Sequence, residues 1–250
     1  MDGAISRGTA SVLLLAAAAC WWIVAVRAAA MPSAPGPMGL GFGSFLILWT
    51  TMMAAMMVPV VAPVAGLYAA SLRSGPRALR AGGLALGYLS VWAALGALAY
   101  PAAVVGSWLA HSHSGLAPWT ASAVFAGTAA YQLSPFRARC LAHCRAPFAL
   151  LFRMTRASSR RFRDLRAGML HGAVCAACCI PLMACLLALG AMSIGWMLAL
   201  TVVVCAERRT RAGPWVTRGS AAALLVLAVA VPLHPELAAG LHAPASPMPM

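Results

Sequence analysis

From Ala167 to Ala206 the chain carries no charged side chain. A run of that length is about twice the roughly 20 apolar residues that cross a bilayer. Inside hydrocarbon every backbone N–H and C=O must find its partner within the protein, which leaves helices as the solution for such a run. Gly190 and Gly195 mark a hairpin that divides it. Apolar segments recur along the chain, and seven spans are expected: 9–30, 44–68, 82–105, 117–133, 167–189, 191–206 and 219–233. The predicted fold is therefore all-α, a polytopic transmembrane helical bundle forming one integral membrane domain over 1–250. Composition agrees, with 62% hydrophobic and 9% charged residues against about 25% charged in soluble domains.

Two spans carry alternatives. The last has about 14 apolar residues, or about 21 Å at helical rise, short against a hydrocarbon core of about 30 Å. The first has Arg7 before its apolar core and small residues at 28–30, the layout of a signal peptide. Cleavage there would leave six spans. Its long core, interrupted only at Arg27, favours a retained helix.

Charge sets the orientation. All 18 basic residues are Arg, and the formal net charge is +14. Arg73, Arg77 and Arg80 fall in one connection, nine Arg and Asp164 in the loop 134–166, and Arg208, Arg209, Arg211 and Arg218 in another. The alternate connections are nearly free of Arg. The positive-inside rule then places the amino terminus in the cytoplasm and the carboxyl terminus outside, in a bacterial inner membrane. Nucleic acid is excluded as a partner because no recognition motif accompanies the charge. Membrane lipid is the expected contact; along Arg145–Arg166, where Arg mixes with apolar residues, a topogenic charge cluster is favoured over a surface segment that attracts anionic lipid. The tail 234–250 reads as flexible.

Chemistry concentrates in sulfur. HGAVCAACCIPLMAC, His171 to Cys185, places four cysteines and a histidine in one uncharged run. At 100° per residue His171, Cys175, Cys178, Leu182 and Cys185 share a stripe, with Cys179 beside it. Pro181 removes a helical donor and frees a carbonyl near Ala177, which needs another partner. The second span repeats the theme in WTTMMAAMMVPVVAP: Trp49, Met53, Met56 and Val60 share a stripe, flanked by Met52 and Met57, before Pro59 and Pro63. Counted from the starts of their spans, both sulfur sets fall near the bilayer middle, where they would meet if the second and fifth spans packed together.

Thiolate and thioether are soft donors and favour Cu(I), with other soft metals possible. The expected metal residues are Cys175, Cys178, Cys179, Met53, Met56 and Met57, with His171 near the inner entry. Packing alone is the competing account, since Cys and Met are ordinary core residues. On the Arg-rich loop, Cys140, His143 and Cys144 form a candidate cytoplasmic transfer site, with Arg139 and Arg145 favouring thiolates. His111, His113, His234, His242, Met31, Met38, Met248 and Met250 are candidates for collecting metal outside. Glu207 is expected to pair with Arg as an interfacial ion.

These motifs resemble a bacterial family of predicted metal-binding integral membrane proteins, a family with a domain of unknown function. The resemblance runs from the second span to the seventh. It rests on Trp49, Met52, Ala55, Met56, Met57 and Pro59; on YQLSPFRARCLAHCRAP, with Arg137 where the family has Lys; and on His171, Gly172, Cys175, Cys178, Cys179, Leu182 and Met183. Gly190, Met192, Trp196, Met197, Glu207 and Arg208 follow in order. Ala177 stands for Gly and Ile180 for Trp, and every sulfur of the motif remains. The resemblance implies metal binding in a membrane bundle.

The expected function is soft-metal handling, by insertion, storage or transfer, with a metal chaperone or a membrane or periplasmic metalloprotein as partner. Two rivals stand beside it. One is a membrane thiol–disulfide oxidoreductase using Cys175/Cys178 or Cys140/Cys144. The other is a structural assembly subunit whose sulfur only packs. No nucleophile motif, phosphate loop or paired-carboxylate site favours another enzyme class.

Overall fold

Every apolar run folds into a helix in the computed structural model, which describes residues 2–30, 36–71, 77–145 and 162–241. Among these are α1 (Asp2–Ala30), α2 (Phe42–Ser71), α3 (Arg77–Ser112), α4 (Ala117–Gln132), α5 (Pro135–Arg145), α6 (Arg163–Leu189), α7 (Ile194–Arg209), α8 (Gly213–Ala230) and a short 3-10 helix, Pro235–Ala238. Met31, His242, Met248, Met250 and residues 146–161 of the Arg-rich loop lie outside the described residues.

The seven expected spans are all helical, but five helices are long and apolar enough to cross a membrane: α1, α2, α3, α6 and α8. The helices that fall short are α4 and α7, each of 16 residues, about 24 Å at helical rise. The seventh run, expected to be the weakest, gains length by starting at Gly213 and reaches 18 residues. Pro214 supplies the start: proline suits the first turn, where an N–H has no helical acceptor. The hairpin between α6 and α7 turns at Gly190, whose φ of 101° lies in the left-handed region. Gly195 sits inside the first turn of α7 instead.

Small residues set the tightest packing. Gly83 and Gly87 on α3 face Gly168 and Gly172 on α6. A Cβ on Gly87 would strike the Leu165 carbonyl, and one on Gly168 the Leu84 carbonyl. The absent side chains let two backbones meet, as small-xxx-small spacing allows. Around this pair, α2 packs against α1, α3 and α7, while α6 packs against α3, α4, α5 and α7. α3 and α7 thus bridge α2 and α6. The two sulfur-bearing helices both pack on α3 and α7, and their buried residues belong to one continuous core.

The bundle has two tiers. α2, α3 and α6 run on to a common end, where the Tyr68 hydroxyl and the Arg80 guanidinium both bind the Asp164 carboxylate. α4 and α7 stop part-way along them. In the last turn of α4 the Tyr131 hydroxyl donates to the Ala177 carbonyl at 2.6 Å. In the last turn of α7, Arg209 donates to the Pro59 carbonyl at 3.1 Å. Each carbonyl lies four residues before a proline, Pro181 and Pro63, which cannot supply the helical N–H. A neighbouring helix therefore satisfies each break, as the sequence required near Ala177.

Candidate functional site

The level at which α4 and α7 end is also the level of Cys175, Cys178 and Cys179. α6 begins at Arg163 rather than at 167, so these cysteines lie about 18–24 Å from its basic end. That distance alone suggests mid-bundle burial. α5 changes the setting, because it packs against α6 and α7 at this same level and carries Arg137 and Cys144 to the cysteines.

Cys144 Sγ lies 3.5 Å from Cys178 Sγ. Cys175 and Cys179, one helical turn apart on the same face of α6, form a second pair. Tyr88 on α3 places its hydroxyl 2.9 Å from Cys175 Sγ. Arg208 Nη2 lies 3.2 Å from Cys179 Sγ and 3.5 Å from the Cys175 carbonyl. Tyr88 and Arg208 thus meet Cys175 and Cys179, while Cys144 and Cys178 meet each other. All four cysteines are buried and none is in a disulfide. The hydrogen bond from Cys178, opposed by burial, holds the Cys144 thiol below its ordinary pKa.

A buried ion pair fixes α5 against this cluster. Arg137, 1% exposed, meets Glu207, also 1% exposed, at 2.5 Å. Its Nε also donates to the Cys178 carbonyl at 3.3 Å. The second Glu207 oxygen accepts from Thr217 on α8 at 3.0 Å. The Glu207 carbonyl accepts from Arg145 at the end of α5. Glu207 does pair with Arg, but in the interior and across helices rather than as an interfacial ion.

The other candidates separate into groups. His171 is buried one turn before Cys175, stacked obliquely near Tyr88 with ring centroids 5.8 Å apart. Its Nδ1 has no hydrogen-bond partner among the described residues. Met52, Met53, Met56 and Met57 are all within 1% of full burial, so α2 is enclosed on every side there and the stripe does not single out a face. The transfer trio does not converge: Cys144 turns inward to Cys178, Cys140 is half-buried, and His143 is exposed and bonded to the Arg139 carbonyl. His111 binds the Ser107 carbonyl, His113 packs against Trp108, and His234 pairs with Glu236. The departures from the family motif are peripheral, since Ile180 faces outward at 42% exposure and Ala177 contributes only its carbonyl.

Among the described residues no three His, Cys, Asp or Glu side chains are grouped as a formed metal site. The thiols stand as two pairs instead. A pair suits a soft monovalent ion, whereas structural zinc takes four ligands. A cavity of about 470 Å³ lies at the opposite end of α6, between Met38, Gly106, Thr120, Met192 and Glu236, and no cysteine lines it.

Cys144, Arg137, Tyr88 and Arg208 are the site residues that helical periodicity could not supply, because each reaches α6 from another helix. The ordered motifs carried a trace of three of them, Arg137, Cys144 and Arg208. Tyr88 had no such signal.

Comparison with curated proteins and with solved structures yields no match. A family model described as "PpoB2: Copper chaperone" matches residues 46–231, from early α2 to just past α8, and includes every helix that contributes to the thiol cluster. With about three quarters of its length inside that match, the chain belongs to the PpoB2 copper chaperone family.

Proposed function

We propose that this protein carries Cu(I) as thiolate-bound cargo, loaded at Cys144 and Cys178 and passed to the adjoining pair Cys175 and Cys179. The observation that carries this reading is the 3.5 Å approach of Cys144 on α5 to Cys178 on α6. Thiols so placed provide two soft ligands without moving a helix far, and the copper chaperone family supplies the metal. His171, with its unpartnered Nδ1, is a further donor on the same stripe. Met53, Met56 and Met57, in the same buried core, serve as thioether donors if cargo crosses the bundle. Cys140 and His143 are the outermost donors on the α5 side.

In this reading the helices span a bacterial inner membrane with the Arg-rich end in the cytoplasm. The amino terminus is inside and the carboxyl terminus outside. Cargo is exchanged with a metal chaperone or with a membrane or periplasmic metalloprotein. The test is copper per chain, by elemental mass spectrometry, in protein purified under reducing anaerobic conditions after growth with copper. Near-stoichiometric copper in the wild type, lost in Cys144→Ser and in Cys178→Ser, is expected. Equal copper in all three proteins would remove the thiol pair from the reading.

The same sulfur–sulfur approach favours one second reading, thiol–disulfide exchange. It would run through Cys144 and Cys178 rather than through Cys175/Cys178 or Cys140/Cys144. A metal-free protein whose two thiols cycle between alkylatable and protected forms would select it.

A further inference from the structure

Arg208 stands out once the chain's acids are assigned. Asp164 is engaged by Arg80, Glu207 by Arg137 and Glu236 by His234. Arg208 donates to the Cys175 carbonyl and to the Cys179 sulfur, and its buried Nε has no partner among the described residues. Guanidinium stays protonated in proteins, so this is a fixed positive charge. Its nearest sulfur is Cys179 Sγ, at 3.2 Å. A fixed charge placed among thiols and without a carboxylate is costly unless negative charge arrives there.

We propose that Arg208 is the charge-selecting residue of the thiol cluster, holding a monovalent soft ion on two thiolates in preference to a divalent one. The inference rests on the copper reading above. A monovalent ion with two thiolates carries one net negative charge, and Arg208 brings the assembly to zero. A divalent ion with the same thiolates is already neutral, which leaves Arg208 uncompensated. The arrangement of the sulfurs as pairs is what gives this arithmetic its sign. Arg208 is a positioning residue, acting on the ion through the sulfurs.

The experiment compares full-length wild type, Arg208→Lys and Arg208→Gln in detergent under anaerobic conditions. Ag(I), Cu(I) and Zn(II) are titrated singly and in competition, with chelators as reference. Wild type is expected to take Ag(I) and Cu(I) and to lose little of either to Zn(II). Arg208→Gln is expected to weaken monovalent binding by roughly tenfold or more, the scale for losing one partner of a buried charge pair, and to move the preference toward Zn(II). Arg208→Lys, which keeps the charge, is expected to restore the wild-type order. Equal preference in Arg208→Gln and wild type overturns the proposal, as does a lysine variant that behaves like glutamine. Wild type that takes Zn(II) as tightly as Ag(I) overturns it without any variant, so misfolding of a mutant leaves the test intact. Wild type that binds neither Cu(I) nor Ag(I) removes the copper reading itself, a different result from any of these.

Discussion

Cys144 and Cys178 are 34 positions apart in the chain and 3.5 Å apart at their sulfurs. The contact joins α5, a helix of only 11 residues, to the middle of one of the longest apolar helices. It makes a single chemical unit of what the sequence presented as two, a buried cluster and a loop pair.

That contact should respond to oxidant. Mild oxidation with diamide is expected to link Cys144 to Cys178, keeping tryptic fragments from either side of the Arg-rich stretch 146–161 together on non-reducing gels. Reduction should separate them, and Cys144→Ser should never link. Preloading with Cu(I) should slow the reaction, because both thiols would be occupied. Linking of Cys140 in place of Cys144 would contradict the inward turn of α5.

Arg137 and Glu207 should behave as a buried pair. Arg137→Ala leaves a carboxylate interred without its partner, and a loss of about 3–5 kcal/mol in unfolding free energy is expected. Arg137→Met combined with Glu207→Leu should cost much less than the two single changes added together. Denaturant titration in detergent micelles measures both. Additive effects would mean the pair is not coupled as its geometry requires.

The α3–α6 contact should be intolerant of any side chain. Gly87→Ala and Gly168→Ala each drive a methyl into a facing carbonyl, and overpacking of this kind costs about 1–3 kcal/mol. Gly82→Ala, on the same helix with open space around it, is the control and should leave the midpoint of thermal unfolding where it was.

Tyr131 and Pro181 should be thermodynamically linked. Tyr131→Phe strands the Ala177 carbonyl and is expected to cost about 1–3 kcal/mol. In a Pro181→Ala background the helix can satisfy that carbonyl itself, so the same change should cost markedly less. A double-mutant cycle reads the difference, and equal costs in both backgrounds would sever the link.

Most of the architecture was legible because bilayer physics writes it in bulk. Uncharged runs imply helices, and each expected span is one. Length at the ends was less legible. α8 recruits Gly213, Pro214 and Arg218, polar or special residues that hydropathy discounts, while α7 keeps its expected length but is shifted three residues toward the carboxyl end. Pro181 announced a carbonyl that needed a donor. What the sequence could not carry was the pairing of sulfur across helices. Helical periodicity relates residues three and four apart. It has nothing to say about Cys144 folding back on Cys178, or about α2 and α6 both packing on α3 and α7. Arg208 closed an ordered motif, but its place among the thiols was not visible, because a positive-inside count treats every arginine alike.

α1 contacts the rest of the bundle chiefly through α2, and only 11% of its apolar window is buried. The family match also starts after it, at residue 46. The first helix is thus a stave on the outside of the barrel. Whether it is trimmed as a leader or kept as an anchor, none of the four thiols changes its neighbours. A lineage can therefore exchange this helix for another targeting device, and an experimenter can graft a reporter there, without touching the metal chemistry.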